Sequence, residues 1–209
     1  MELCINFALP VECYDNLLNK CAGKYCHVET SVTIDVSLLR FLFDTALNDC
    51  YAPDICQNIT NNLKDLTGDI TVAFYILFGG IMSMRILKED EENAFLQPPT
   101  SAIYDTLKIK LDEEHMYNVI KWNVKMLGRN YDIPRAVLLL TPFSIPTGER
   151  PEKFFCSQVV MYMIKETSIV TVEGALDIDH MKPDHVYEWL VQKLNSIKVK
   201  EDVQNGDQQ

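Results

Sequence analysis

Two positions in this chain combine a reactive side chain with a setting that would activate it. Cys156 falls where the Pro- and Gly-containing loop TPFSIPTGERPE gives way to the apolar run FFCSQVVMYMIK. A thiol at a helix start lies near the positive end of the helix dipole, and the unpaired N–H groups of the first turn point toward it. Both effects favour thiolate, the nucleophilic form. The same N–H groups are placed to donate to an oxyanion during acyl transfer. A second reading stands beside this one. Cysteine is among the most buried residue types, and Phe154, Phe155, Val159 and Val160 make a core-like neighbourhood.

His27 opens the stretch HVETSVTI. Side chains alternate along a strand, so His27 and Glu29 project from one face. A general base needs one imidazole nitrogen for the thiol and an acceptor on the other to fix ring and tautomer. Glu29, or a polar residue on a neighbouring strand, fits the acceptor role. The competing reading is a surface His–Glu pair on an edge strand. His115 lies among Asp112, Glu113 and Glu114 and reads as solvated, while His180 and His185 fall in a loop and at a helix start. Cys13, Cys21, Cys26 and His27 form a loose cluster, but Cys21-x4-Cys26 fits zinc-ligand spacing poorly and the partner pair is missing. These read as ordinary reduced cysteines, and no metal or cofactor is expected.

The elements that must position these residues are legible in outline. His27 to Ile34 is rich in β-branched residues and predicts a strand. Asp35 or Ser37 is placed to cap a helix through Leu47, since Leu38, Leu39, Leu42 and Phe43 recur at helical spacing. The polar, Asn-rich stretch around Pro53 predicts a loop and a short helix, and residues 35–69 together suggest a peripheral helical insertion whose loss would spare the core. Ile70 to Phe78 and Ile81 to Leu87 flank Gly79-Gly80 as a hairpin. KEDEENAFLQPP reads as a solvated loop and Tyr104 to Leu111 as a strand. Helices are expected over Glu113 to Leu127, with Gly128 as C-cap residue, over Phe154 to Lys165, and over Asp184 to Leu194 behind Pro183. The order predicts an α+β domain over residues 1–197, an antiparallel sheet packed on the cysteine-bearing helix, with a disordered polar tail over 198–209.

Composition excludes several partner classes. Of 209 residues, 47% are hydrophobic, enough for one domain with its own core, and the formal net charge is -11. A nucleic-acid binder needs the opposite sign, so neither nucleic acid nor an anionic membrane surface is an expected partner. The start MELCINFALP has no secretory pattern. The longest apolar stretch, about Val72 to Met84, is broken by Gly79-Gly80 and falls short of the ~20 residues of a transmembrane helix. Seven irregularly spaced cysteines suit a reducing, intracellular compartment better than a disulfide framework.

Taken in order, Cys26-His27-Val28-Glu29, Tyr104, Gly128-Arg129-Asn130-Tyr131-Asp132, Phe155-Cys156-Ser157-Gln158, Ile178-Asp179-His180-Met181-Lys182-Pro183-Asp184 and Tyr187-Glu188-Trp189-Leu190 resemble the permuted papain-like hydrolases related to the NlpC-type amidases. That group includes uncharacterised proteins of large DNA viruses, which would put the chain in a host cytoplasm or a virion. The resemblance covers roughly residues 25–34 and 100–195. It implies a permuted papain-like fold, His27 as base, Cys156 as nucleophile and Glu29 as orienting residue. The substrate implied is a peptide, amide, thioester or lipid ester. Relatives often carry Glu where this chain has Gln158. Tyr131 and Asp132 follow a Gly-terminated helix that turns the chain back toward the sheet, and are expected near the cleft as substrate-binding residues. The alternative for Tyr131 is core packing with its hydroxyl satisfied.

Two functions follow. One is a thiol hydrolase or acyltransferase working through Cys156 and His27. The other is a catalytically silent papain-like binding or structural protein, such as a virion component. A thiol beside imidazole at an open cleft favours the first, and a buried Cys156 favours the second.

Overall fold

Alternating apolar residues on five short segments build a sheet with one greasy face. A computed structural model of the chain describes residues 1–9, 23–46, 49–76, 80–87, 104–139, 153–172 and 176–206. The strands are β1 (Glu2–Ala8), β2 (His27–Asp35), β3 (Asp69–Ile76), β4 (Met82–Leu87) and β5 (Tyr104–Lys110), and every neighbouring pair is antiparallel in the order β4-β3-β2-β1-β5. HVETSVTI is therefore the central strand. Register puts Val28 beside Phe7, Val32 between Leu3 and Val72, and Ile34 beside Ile70. All of these join the core except the half-buried Ile70, which packs against it. The residues between them, Glu29 and Ser31, align with Asn6, Cys4 and Ala73 on the opposite face.

Six helices complete the described part of this α+β architecture: α1 (Val36–Ala46), α2 (Pro53–Asn62), α3 (Glu113–Met126), α4 (Ile133–Leu139), α5 (Cys156–Thr167) and α6 (Pro183–Gly206), with a 3-10 turn at Ile178–His180. The Asp35 carboxylate accepts from the Ser37 and Leu38 N–H groups at 2.8 and 3.3 Å and so caps α1. Asp112 caps α3 by accepting from His115 N–H at 2.8 Å. Gly128 ends α3 at φ +84°, and a Cβ there would lie 2.3 Å from the Ala52 methyl, so both conformation and space demand glycine. Helix α5 packs across β2 and β3 on one side and against α3 and α6 on the other.

Val36–Ala46 and Pro53–Asn62 are helical, as expected for this part of the chain, but they are not peripheral. Leu39, Leu42 and Phe43 of α1 and Cys56 of α2 are fully buried in the common core, and α1 packs on α3. Arg40 then ties the two helices together, donating to the Leu63, Lys64 and Leu66 carbonyls. The Asn-rich polarity that suggested an insertion belongs to the outer faces alone. At the other end α6 continues to Gly206, past Lys198 where a disordered tail was expected. The loops KEDEENAFLQPP and TPFSIPTGERPE, the turn at Gly79 and the cysteines Cys13 and Cys21 lie outside the described residues. Among the described residues no helix is long and apolar enough to cross a membrane.

Because α1 supplies core, Phe43→Ala should lower unfolding free energy by about 3–5 kcal/mol, and removing residues 36–66 should abolish cooperative unfolding. Chemical denaturation checks both. A deletion that kept a cooperative transition would return the segment to the periphery.

Candidate active site

β3 pairs with β2 from Thr30 to Asp35, and among the described residues the first residues of β2 have no ladder partner on that side. Helix α5, whose first residue is Cys156, packs on the same strand. The His27 side chain and the Val28 and Ser157 N–H groups lie near enough to the Cys156 sulfur to favour its thiolate. A strand end and a helix start thus bring together two residues far apart in sequence.

The electrostatics of the pair are lopsided in a useful way. Burial by itself would push the Cys156 thiol up; the His27 imidazole and the two backbone N–H groups outweigh it and bring the thiol below its ordinary value. Burial would likewise depress His27, but Cys156 and then Glu29 hold it up, raised to about 9. Both shifts favour a thiolate beside an imidazolium. Cys4, Cys26 and Cys56 go the other way. Burial pushes Cys26 up to about 11, aided by the neighbouring Cys156 charge, and Cys56 up to about 12.

Glu29 stands on the far side of the imidazole. It is 1% exposed, with Oε2 3.7 Å from His27 Nε2 and Oε1 accepting from Arg85 Nη2 at 2.8 Å. Tyr104 of β5 shares a row with Ala8 and His27. Burial and then the Glu29 charge raise its phenol.

Around the nucleophile the Cys-Ser-Gln motif divides its labour. Ser157 Oγ donates to the Met181 carbonyl at 2.6 Å. Gln158 accepts from the Phe155 N–H at 3.2 Å and donates to Asp179 at 2.9 Å, where Tyr162 OH also donates at 3.1 Å. The helix start is thereby latched to the Ile178–His180 turn. Glutamate in place of Gln158 would offer no such donor to Asp179. On the other side of the site, residues 128–132 bridge β4 to Phe154. Tyr131 N–H donates to the Gly80 carbonyl and Asp132 N–H to the Phe154 carbonyl, both at 2.9 Å.

The structure separates the expected residues. His27, Glu29 and Cys156 come together. Burial and then the Cys156 charge raise the Tyr131 phenol, which puts Tyr131 in the neighbourhood of the thiol. Asp132 lies next to it, but its carboxylate caps α4, accepting from the Arg135 N–H at 3.2 Å and pairing with Arg135 Nε at 3.3 Å. His115, His180 and His185 keep to local partners: Asp112 at 2.7 Å, Asp177 at 2.6 Å and the Lys182 N–H at 3.4 Å. Among the described residues no cluster of three or more ligating side chains forms a metal site. Sequence reading missed Arg85, on a strand it assigned correctly, because nothing local marks a residue that acts two strands away. In comparisons with known proteins, no family model, curated protein or solved structure matches this chain.

The lowered thiol predicts that iodoacetamide labels Cys156 with a midpoint well below the value of about 8.5 for a free cysteine. In His27→Ala burial is left opposed only by two N–H groups, and the midpoint should rise to or above that value. The sign for His27 is opposite. Its proton is held up to about 9, so a step that needs imidazolium should fall away above that pH while labelling does not. The same labelling midpoint in both proteins would uncouple the two residues.

Proposed function

We propose that the protein is a thiol hydrolase or acyltransferase of permuted papain-like arrangement, with the histidine strand first and the cysteine helix last. The observation that carries this reading is the proximity of Cys156 and His27 where α5 packs on β2, close enough that each favours the other's charged form. In the proposed reaction the Cys156 thiolate attacks the carbonyl carbon of an amide, thioester or ester. The carbonyl π electrons move to oxygen, and on collapse the His27 imidazolium gives its proton to the departing amine, thiol or alcohol. Neutral His27 next takes a proton from water or another acceptor, which displaces Cys156 from the acyl group. With Nε2 turned toward Glu29, Nδ1 is the nitrogen left for these transfers. Glu29 keeps the ring in place and balances the imidazolium. Tyr131 borders the thiol and is placed to touch substrate. The substrate class is a peptide, amide or lipid ester, and the acidic chain with an odd cysteine count suits a reducing compartment, a cytoplasm or a virion.

One observation favours a second reading. Cys156 is only 5% exposed, which suits a silent papain-like shell used for binding. The thiolate setting argues for chemistry, since an inert buried cysteine has no need of a charged partner. A panel of acyl-transferring and thiol-directed activity probes separates the two. Acylation should map to Cys156, disappear in Cys156→Ala, and slow by about 10²–10⁴-fold in His27→Ala, the usual weight of a positioned acid–base group. Acylation of Cys156 no faster than of Cys4 or Cys26 would favour the silent shell.

A further inference from the structure

A carboxylate buried in the middle of a sheet needs partners. The register shows how this chain supplies one to Glu29. Ser31 on β2, Ala73 on β3 and Arg85 on β4 form one row across three strands. Ala73 is 0% exposed and small, so the Arg85 side chain crosses above it without obstruction. The guanidinium passes 4.9 Å from the Tyr75 ring and reaches Glu29 Oε1 at 2.8 Å, leaving Oε2 turned to His27 Nε2 at 3.7 Å. Each carboxylate oxygen thus faces a basic side chain of its own.

We propose that Arg85 is a positioning residue for the Cys156–His27 pair, acting through Glu29, and that Ala73 is the spacer that lets it cross the sheet. The inference rests on the thiol-hydrolase reading and deepens it. Arg85 reaches the pair through Glu29: its hydrogen bond to Oε1 fixes the carboxylate and leaves Oε2 toward His27, so the imidazole keeps its partner only while Arg85 holds Glu29. The groups facing His27 and Glu29 are Cys156 from α5, Arg85 from β4 and Tyr104 from β5, with Cys26 and Tyr131 nearer the sulfur. Of these only Arg85 carries a permanent positive charge.

The test is an NMR titration of the His27 imidazole together with the rate of Cys156 acylation by a reactive ester probe. The proteins compared are wild type, Glu29→Gln, Arg85→Met, the double variant, Arg85→Lys and Ala73→Leu. The double variant orphans no buried charge and guards against misfolding of the singles. The wild-type midpoint should lie near 9. Glu29→Gln and Arg85→Met should each move it down by a similar amount, the double variant should move it no further, and acylation should slow about tenfold or more, as for outer-shell partners of other functional histidines. Ala73→Leu should match Arg85→Met, and Arg85→Lys should recover part of the loss. A wild-type midpoint near 9 with Arg85→Met unchanged, or with the two single effects adding, would overturn the role of Arg85 alone. A wild-type midpoint at the ordinary imidazole value would overturn the Cys156–His27 reading and the role of Arg85 with it.

Discussion

Everything at this site depends on how α5 packs on β2. β3 pairs with β2 from Thr30 to Asp35, and α5, whose first residue is Cys156, packs on the same strand. That packing sets the sulfur near the imidazole at the start of β2, where His27 and the Val28 and Ser157 N–H groups favour the thiolate against the cost of burial.

The rest of the fold holds that contact from several directions. Ser157 and Gln158 latch the start of α5 to the Ile178–His180 turn and Met181. The Asp184 carboxylate at the start of α6 accepts from the Lys24 and Tyr25 N–H groups at 2.8 and 2.7 Å, fixing the chain just before His27. Gly23 allows this approach, because a Cβ there would lie 1.9 Å from Asp184 Oδ2. Tyr25 packs with Phe7 and Tyr187 at ring separations of 5.3 and 4.8 Å, so strand, lead-in and C-terminal helix share one aromatic cluster. On the other face of the sheet, the small Ala73 lies in the row between Ser31 and Arg85, and Arg85 reaches Glu29 from two strands away. The buried charges are balanced across strands and not within one.

Much of this was legible in the residues. The β-branched run at His27, the leucine spacing after Asp35, the glycine after α3 and the Pro-rich approach to Cys156 each express a local preference, and each element formed where those preferences placed it. His27 with Glu29 followed from alternation, and Cys156 from its place at a helix start. What escaped was non-local. The core role of α1 was masked by polar outer faces around it. Asp132 was expected near the cleft because it follows a Gly-terminated helix; its bonds to Arg135, which cap α4, had no signal in the residues. Arg85 has no sequence signature at all, since its partner is set by register across Ala73.

The central claim is that Cys156 and His27 share their charge as thiolate and imidazolium. The direct measurement is the ultraviolet thiolate absorbance of the native protein at neutral pH, taken as the difference between wild type and Cys156→Ala. The account predicts the absorbance of one thiolate in that difference, and its loss when His27 is replaced by alanine. A difference spectrum with no thiolate at neutral pH, or one unchanged by the His27 substitution, would contradict it.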